Sequence, residues 1–323
     1  MTGATLDGAR YAVAAPGRQR DTFWARNPMI SLLTPPRSSI LLVALVTPLL
    51  AGCGGTDSRI IQNTGSDTML DVAQAWAERY QIVNPAVAIA VSGGGSGTGI
   101  ASMIDGTVDI SNSSRPMTER EIASARANGN DPVEHIVGYD ALAVFLHRDN
   151  PLSSLTLAQI EQIYGEGGSA ERWSDLDVRV PGCPSDEIIR VGRQNSSGTY
   201  AYFRDSTLGG REFKLGILSM NGSSEVVDLV ESTPCAIGYS GLAYATEGVK
   251  MPCIAVESGG ECVTPSVITA TNRAYPIARP LYMYTAGQPQ GDVADYLTWI
   301  LSDEGQCILV EIGYPTARPL ECP

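Results

Sequence analysis

Residues 87–99 read VAIAVSGGGSGTG, and they carry the clearest indication of the fold in this sequence. Residues 87–91 are apolar and rich in β-branched side chains, which predicts a buried strand. Residues 93–99 contain only glycine, serine and threonine, and they lead into a short predicted helix around residues 100–104. The beginning of a helix offers unpaired backbone N–H groups and the positive end of the helix dipole. The stretch therefore predicts a strand–loop–helix unit that can hold an anion, although ordinary helix capping by Ser and Thr explains one such loop as well.

Two further loops have the same character. Residues 65–68 read GSDT, and residues 193–199 read RQNSSGT; each of them precedes a predicted helix. Three loops with hydroxyl side chains and glycine, together with the nearby Arg115 and Arg193, are hard to explain by capping alone. They favour a site for a small tetrahedral oxyanion, bound by backbone N–H groups, hydroxyls and guanidinium groups.

Strands and helices alternate along the rest of the chain. Residues 135–146 form an apolar run that predicts a long strand crossing the protein, and capping boxes at Thr118 and Thr156 predict the beginnings of two helices. This alternation predicts an α/β fold with largely parallel sheets.

Composition excludes several classes of function. The 323 residues are 43% apolar and 18% charged, which is typical of a globular protein. The 22 basic and 35 acidic residues give a net charge of −13, which argues against binding to nucleic acid. With only His135 and His147, without GxSxG and without a Walker A lysine, the sequence predicts no catalytic residues, no metal and no cofactor.

The N-terminal segment has the features of an export signal. Residues 39–51 read SILLVALVTPLLA after the basic Arg37, and residues 50–53 read LAGC, which resembles the lipobox of bacterial lipoproteins. We expect residues 1–52 to be a leader and signal peptide and Cys53 to be lipidated, anchoring an exported protein to the outer side of the cell membrane. A plain signal peptide with an incidental cysteine is the alternative. Six cysteines follow Cys53, an even number that predicts disulfides in an exported chain, or else buried free thiols.

The loops, taken in order, resemble those of the phosphate-binding protein of the bacterial phosphate-specific ABC transporter. The matching stretches are 65–68, 93–99, 108–116 and 193–199, and shorter matches extend the resemblance from about residue 60 to residue 317. The resemblance implies a class II periplasmic-binding-protein fold: two α/β lobes joined by two crossovers, with the ligand in the cleft between them. It implies residues 59–140 plus 265–317 as lobe one and 141–264 as lobe two, with crossovers in 135–146 and near 264–270.

The resemblance also implies the function and the site. The function is that of a monomeric extracytoplasmic receptor that delivers inorganic phosphate to an ABC permease; another oxyanion, a sensing role or a secreted phosphatase are the alternatives. The expected ligand-binding residues are Ser66, Asp67, Thr68, Ser96, Ser114, Arg115, Arg193, Ser197, Gly198 and Thr199.

One position departs from the family pattern. Some members have an aspartate that accepts the phosphate proton where this chain has Ser114. Asp67, or Asp140 at the crossover, could supply the missing carboxylate, because a carboxylate beside a dianion is costly unless it accepts a proton from it. A role in capping or in a turn is the alternative for both.

The implied lobes also restrict the disulfides. Cys307 and Cys322 fall in lobe one and the other four cysteines in lobe two, and a bond between lobes would oppose closure. The glycines of residues 254–261 can turn a hairpin that brings Cys253 and Cys262 together. The expected bonds are Cys183–Cys235, Cys253–Cys262 and Cys307–Cys322.

Overall fold

The structure, a computed structural model, describes residues 59–322. The predicted signal peptide and the predicted lipidation site Cys53 lie outside these residues. Within the described range no helix is both long and apolar enough to cross a membrane.

The described chain contains twelve strands. They are β1 (Arg59–Gly65), β2 (Val87–Ser92), β3 (Ile110–Ser113), β4 (Pro132–His147), β5 (Ser154–Thr156), β6 (Ile189–Arg193), β7 (Leu218–Met220), β8 (Ala236–Gly241), β9 (Val249–Lys250), β10 (Cys253–Ala255), β11 (Cys262–Val263) and β12 (Ala278–Ala286).

Nine α-helices accompany these strands in the described part of the chain. They are α1 (Leu70–Val83), α2 (Ser96–Ile104), α3 (Glu119–Ala127), α4 (Leu157–Tyr164), α5 (Gly198–Thr207), α6 (Ser223–Ser232), α7 (Val267–Thr271), α8 (Asp292–Ile300) and α9 (Asp303–Ile312). The predicted capping boxes at Thr118 and Thr156 are confirmed, since each hydroxyl accepts a hydrogen bond from the third helical N–H.

Nine of the strands form one sheet. Its order is β2-β1-β3-β12-β4-β8-β6-β7, and β9 pairs with β4 outside this path. The pairs β1–β2, β1–β3, β6–β8 and β6–β7 are parallel, whereas β12 and β4 run antiparallel to their neighbours. The other three strands form a smaller sheet, β11-β10-β5, whose Leu155 and Ile254 pack in the same core as Trp173. The α/β fold is the one that the sequence predicts, but the sheets are mixed rather than largely parallel, because β12 and β4 form an antiparallel centre between the parallel pairs.

Strand β4 belongs to both halves of the large sheet. Residues 132–141 pair with β12, and residues 142–146 pair with β8. The first crossover between the lobes is therefore this long strand, in agreement with the predicted crossing strand at 135–146.

The second crossover lies later in the chain than the predicted segment 264–270. Ala270 and Ile277 pack in the same core as Trp173, which belongs to lobe two. Leu281 packs in the core around Trp76, which belongs to lobe one. The chain therefore returns to lobe one between residues 277 and 281, and residues 265–277, predicted for lobe one, cover the core of lobe two instead.

Three disulfides join the cysteines of the described chain. They are Cys183–Cys235, Cys253–Cys262 and Cys307–Cys322, with Cα–Cα separations of 5.0, 5.4 and 5.5 Å. These are the same three pairs that the sequence analysis expects, and each bond stays within one lobe.

Candidate ligand-binding site

Three helix beginnings meet where the two lobes face each other. Ser66 ends the loop after β1 and precedes a 3-10 turn that continues into α1. Helix α2 begins at Ser96 after β2, and α5 begins at Gly198 after β6. The N–H groups in the first turn of a helix have no partner within the helix, so each beginning is a donor site for an anion.

Buried hydroxyl groups fill the space between these helix beginnings. Ser66 Oγ donates to Ser114 Oγ at 2.9 Å, and Ser96 Oγ lies 3.3 Å from the same oxygen. Thr68 Oγ1 and Thr199 Oγ1, from opposite lobes, are 2.7 Å apart. All five residues are at most 2% exposed. Buried hydroxyls that contact mainly one another form a compact set of donors for a ligand with many acceptor oxygens.

Gly198 brings the beginning of α5 against the serines of lobe one. A Cβ atom at this position would lie 2.6 Å from Ser114 Oγ and closer still to Ser96 Oγ. The preceding Ser197 caps the helix, because its Oγ accepts a hydrogen bond from Thr199 N at 3.1 Å. Because the Ser197 hydroxyl acts as an acceptor in this cap, it can still donate its own hydrogen to another group.

Backbone contacts hold the two glycine-containing loops together. Gly97 N donates to Ser196 O at 2.8 Å, and Ser196 Oγ donates to Gly94 O at 3.2 Å. Gly95 has a φ of +98°, and a Cβ there would lie 2.7 Å from Ser196 O. The loop therefore needs glycine both for its backbone conformation and for the close approach of lobe two.

Arg193 is buried beside this cluster. Its Nη1 donates to Ser223 Oγ at 2.7 Å, and its Nη2 donates to Asn221 O at 2.8 Å and to Asp67 Oδ2 at 2.9 Å. Its Nε has no hydrogen-bond partner within residues 59–322. Burial lowers the pKa of Arg193, and the charge of Asp67 opposes that shift. The guanidinium remains a buried cation, and two of its five N–H donors, one on Nε and one on Nη1, are not used by these contacts.

Asp67 connects the lobes. Its Oδ1 accepts a hydrogen bond from Gly94 N at 2.8 Å, within lobe one, while Oδ2 accepts from Arg193 of lobe two. Both carboxylate oxygens are therefore engaged, and the ion pair forms across the cleft.

A second buried arginine, Arg279 on β12, was not among the residues predicted for the site. Its Nε and Nη2 donate to Asp140 Oδ2 at 3.1 and 2.8 Å, and its Nη1 donates to Ser114 O at 3.0 Å. Burial raises the pKa of Asp140, whereas the neighbouring guanidinium opposes the shift. The sequence signal that could have revealed Arg279 is its position in ARPLYMYTA, an otherwise uncharged and largely apolar strand.

Arg115 does not join the cluster, contrary to the sequence prediction. Its two terminal nitrogens donate to the carboxylate of Glu121 at 2.8 and 2.7 Å, and one also donates to Pro116 O. Glu121 is the capping-box residue of α3, and its Oε2 also accepts a hydrogen bond from Thr118 N at 2.8 Å. The side chain of Arg115 is therefore engaged by this local carboxylate, and within residues 59–322 it makes no hydrogen bond to the serines of the cluster.

The two histidines of the chain lie outside the hydroxyl cluster. His135 contacts Thr285 Oγ1 at 3.2 Å, and His147 lies beside Asp149, so neither joins the hydroxyl cluster. In the described chain no group of three or more His, Cys, Asp or Glu side chains is arranged to hold a metal ion. The cluster supplies hydrogen-bond donors and two arginines, each paired with an aspartate. Such a set of groups is suited to binding an oxyanion.

Known proteins resemble this chain in sequence. A model of the PBP superfamily domain matches residues 52–304. The phosphate-binding protein PstS of Pseudomonas aeruginosa is 32% identical over 265 residues, 79% of this chain and 82% of that protein. The PstS of Bacillus subtilis is 28% identical and covers 85% of this chain and 92% of its own length.

A solved structure extends the likeness to three dimensions. A phosphate ABC transporter substrate-binding protein from Clostridium perfringens, determined with bound phosphate, has a TM-score of 0.70 and is 25% identical. The match covers 80% of this chain and all of that one. On these grounds the chain belongs to the PBP superfamily, with the two-lobed fold of its phosphate-binding members, and within it to the PstS family of phosphate-binding proteins.

Proposed function

We propose that this protein is an extracytoplasmic receptor that binds inorganic phosphate between its two lobes and delivers it to an ABC importer. The observation that carries the proposal is the meeting of three helix beginnings, buried hydroxyls and Arg193 at one point of the cleft. The names of the relatives, which are binding and substrate-binding proteins, favour a receptor over an enzyme.

The proposed ligand shell combines donors from both lobes. Lobe one supplies hydroxyls and the N–H groups at the beginnings of two helices, and lobe two supplies the beginning of α5 and a guanidinium. The shell consists of Ser66, Thr68, Ser96, Ser114, Arg193, Ser197, Gly198 and Thr199, with Asp67 as the partner of Arg193.

A singly protonated phosphate needs an acceptor as well as donors. Asp67 has both carboxylate oxygens engaged, by Gly94 N and Arg193. Asp140 has only Oδ2 engaged, and its Oδ1 is buried without a hydrogen-bond partner among residues 59–322. Of the two carboxylates, this favours Asp140 as the acceptor that replaces the aspartate missing at Ser114.

The cellular setting of the proposal follows from the N-terminal sequence. The lipobox-like residues 50–53 support export and attachment through a lipid on Cys53, on the outer side of the cell membrane. The expected partners are inorganic phosphate and the membrane subunits of an ABC importer, and the receptor acts as a monomer.

Isothermal titration of the purified protein with phosphate, sulfate and molybdate tests this function. Phosphate should bind at one site per chain, and sulfate should bind far more weakly because it has no proton for Asp140. Tighter binding of sulfate or molybdate would assign the cleft to another oxyanion, and no binding of any of the three would refute the proposed function. Release of nitrophenol from nitrophenyl phosphate would indicate a phosphatase instead.

A further inference from the structure

Arg279 lies at the return crossover, where it contacts hydroxyls of both lobes. Its Nη2 is 2.9 Å from Thr199 Oγ1 of lobe two and 3.3 Å from Thr68 Oγ1 of lobe one. The residue is 1% exposed, and Nε, Nη1 and Nη2 all donate to oxygens of the protein. The guanidinium therefore has a fixed orientation at the one place where the two threonines meet.

The chemistry of these contacts determines where the threonine hydrogens point. An arginine N–H can only donate, and one of the two Nη2 hydrogens goes to Asp140 Oδ2, so Thr68 Oγ1 and Thr199 Oγ1 act as acceptors that share the other. Their contact with each other, at 2.7 Å, uses one hydroxyl hydrogen. The other hydrogen must point away from the guanidinium, and it is free to donate to a ligand oxygen.

The charge of Arg279 is balanced within the protein. Asp140 accepts two hydrogen bonds from it, and the two side chains are 0% and 1% exposed. A buried pair of opposite charges adds little net field to the cleft, so Arg279 acts on a ligand mainly through the groups that it orients.

We propose that Arg279 is a positioning residue of the phosphate site: held by Asp140, it makes the Thr68–Thr199 pair a hydrogen-bond donor to the bound anion. Because the two threonines lie on different lobes, this donor exists only when the lobes are together. Arg279 thus couples contact with the anion to closure. The inference rests on the proposed function and adds a residue that the family pattern of loops does not contain.

A double-mutant cycle with phosphate titration tests the proposal. Arg279→Lys keeps the charge, but a single nitrogen cannot serve Asp140, Ser114 O and the threonine pair together. Thr199→Val removes the hydroxyl, and Thr199→Ser restores it. Arg279→Lys and Thr199→Val should each weaken phosphate binding about tenfold or more, whereas Thr199→Ser should stay within about threefold of the unaltered protein. The double variant Arg279→Lys/Thr199→Val should be no weaker than the weaker single variant, because the arginine acts through the hydroxyl.

Multiplied losses in the double variant would overturn the proposal, because they would mean that Arg279 acts on the anion independently of Thr199. Normal affinity of Arg279→Lys would overturn it as well. Arg126→Lys, in an exposed ion pair with Asp131, is the matched control and should bind phosphate normally.

If Arg279→Lys does not fold, Arg279→Gln takes its place in the cycle and leaves Asp140, the proposed proton acceptor, unaltered. Normal phosphate affinity of Arg279→Gln would contradict the proposal. If the unaltered protein does not bind phosphate, the proposed function is refuted too. If the unaltered protein binds phosphate but the losses of the two single variants add in the double variant, only the role of Arg279 is refuted.

Discussion

Gly198 is a residue of the site where the fold leaves no room for a side chain. Its Cα faces Ser96 and Ser114, and a methyl group there would overlap both hydroxyl oxygens. Gly198→Ala should therefore keep α5 away from lobe one and weaken phosphate binding by at least about tenfold, with little change in the melting temperature of the unliganded protein. Isothermal titration and a thermal melt measure the two effects.

Gly222→Ala is the matched control for that substitution. Gly222 also precedes a helix, but the nearest atoms to its added Cβ are 3.8 Å away. The Gly222→Ala variant should bind phosphate as the unaltered protein does. Equal affinity of the Gly198 and Gly222 variants would show that the lobes do not need to meet at Gly198.

Arg193 gives the second prediction at the residue scale. Arg193→Ala removes a buried cation and leaves Asp67 without its partner across the cleft. Truncating one member of a buried charged pair typically costs about 2–5 kcal/mol, so phosphate affinity should fall at least tenfold. An unchanged dissociation constant in a titration would remove Arg193 from the proposed shell.

The role of a single residue could be predicted from the sequence only where a recognisable pattern of neighbouring residues indicates it. The hydroxyls and glycines of the three loops could be predicted, since they follow predicted strands directly in sequence. The roles of Arg115 and Arg279 could not be predicted, because each depends on which carboxylate lies nearest. Glu121 is six residues from Arg115, whereas Asp140 meets Arg279 only through the pairing of β4 with β12.

At the scale of elements, α3 gives a prediction about pH. Glu121 is half-buried, which raises its pKa, but hydrogen bonds from Arg115 and Thr118 outweigh the burial and lower the pKa below the usual 4.5. A carboxylate with a lowered pKa in the folded state stabilises the fold above its ordinary pKa, and this stabilisation is lost as the pH falls through the folded-state pKa.

The Glu121→Gln variant should therefore melt at a lower temperature than the unaltered protein at neutral pH. This difference in melting temperature should begin to shrink as the pH falls below 4.5, the ordinary pKa of the glutamate side chain. Melting curves from pH 3 to pH 8 measure it, with Glu119→Gln in the exposed first turn of the same helix as control. A gap that is constant over this range would contradict the ion-pair explanation.

Element types were predictable where the sequence carries its own caps. The capping boxes of α3 and α4 define the beginnings of these helices from four residues each. The second crossover was placed too early, because nothing local in residues 264–277 shows whether they cover one core or the other. Ala270 and Ile277 are apolar and could pack in the core of either lobe. The structure shows that they pack in the core of lobe two.

At the scale of the whole molecule, the charge predicts an unusual salt dependence. The chain carries a net charge of −13, and the two buried arginines of the site are paired with Asp67 and Asp140. The long-range field should thus repel phosphate, while the short-range donors bind it. Salt screens the field, with a Debye length of about 10 Å at 0.1 M.

Association of phosphate should therefore become faster as NaCl is raised from low concentration, which stopped-flow fluorescence can measure. The dissociation rate should change much less, since the buried contacts are poorly screened. An association rate that falls with added salt would mean that a local positive field outweighs the net charge.

A crystal structure of the protein grown with phosphate shows whether phosphate binds where the three helix beginnings meet. We predict one phosphate between the lobes, within hydrogen-bond distance of Ser96, Ser197 and Thr199, with Arg193 beside it. A protein whose lobes are together but whose phosphate lies elsewhere, or which holds no anion in the cleft at saturating phosphate, would contradict the account.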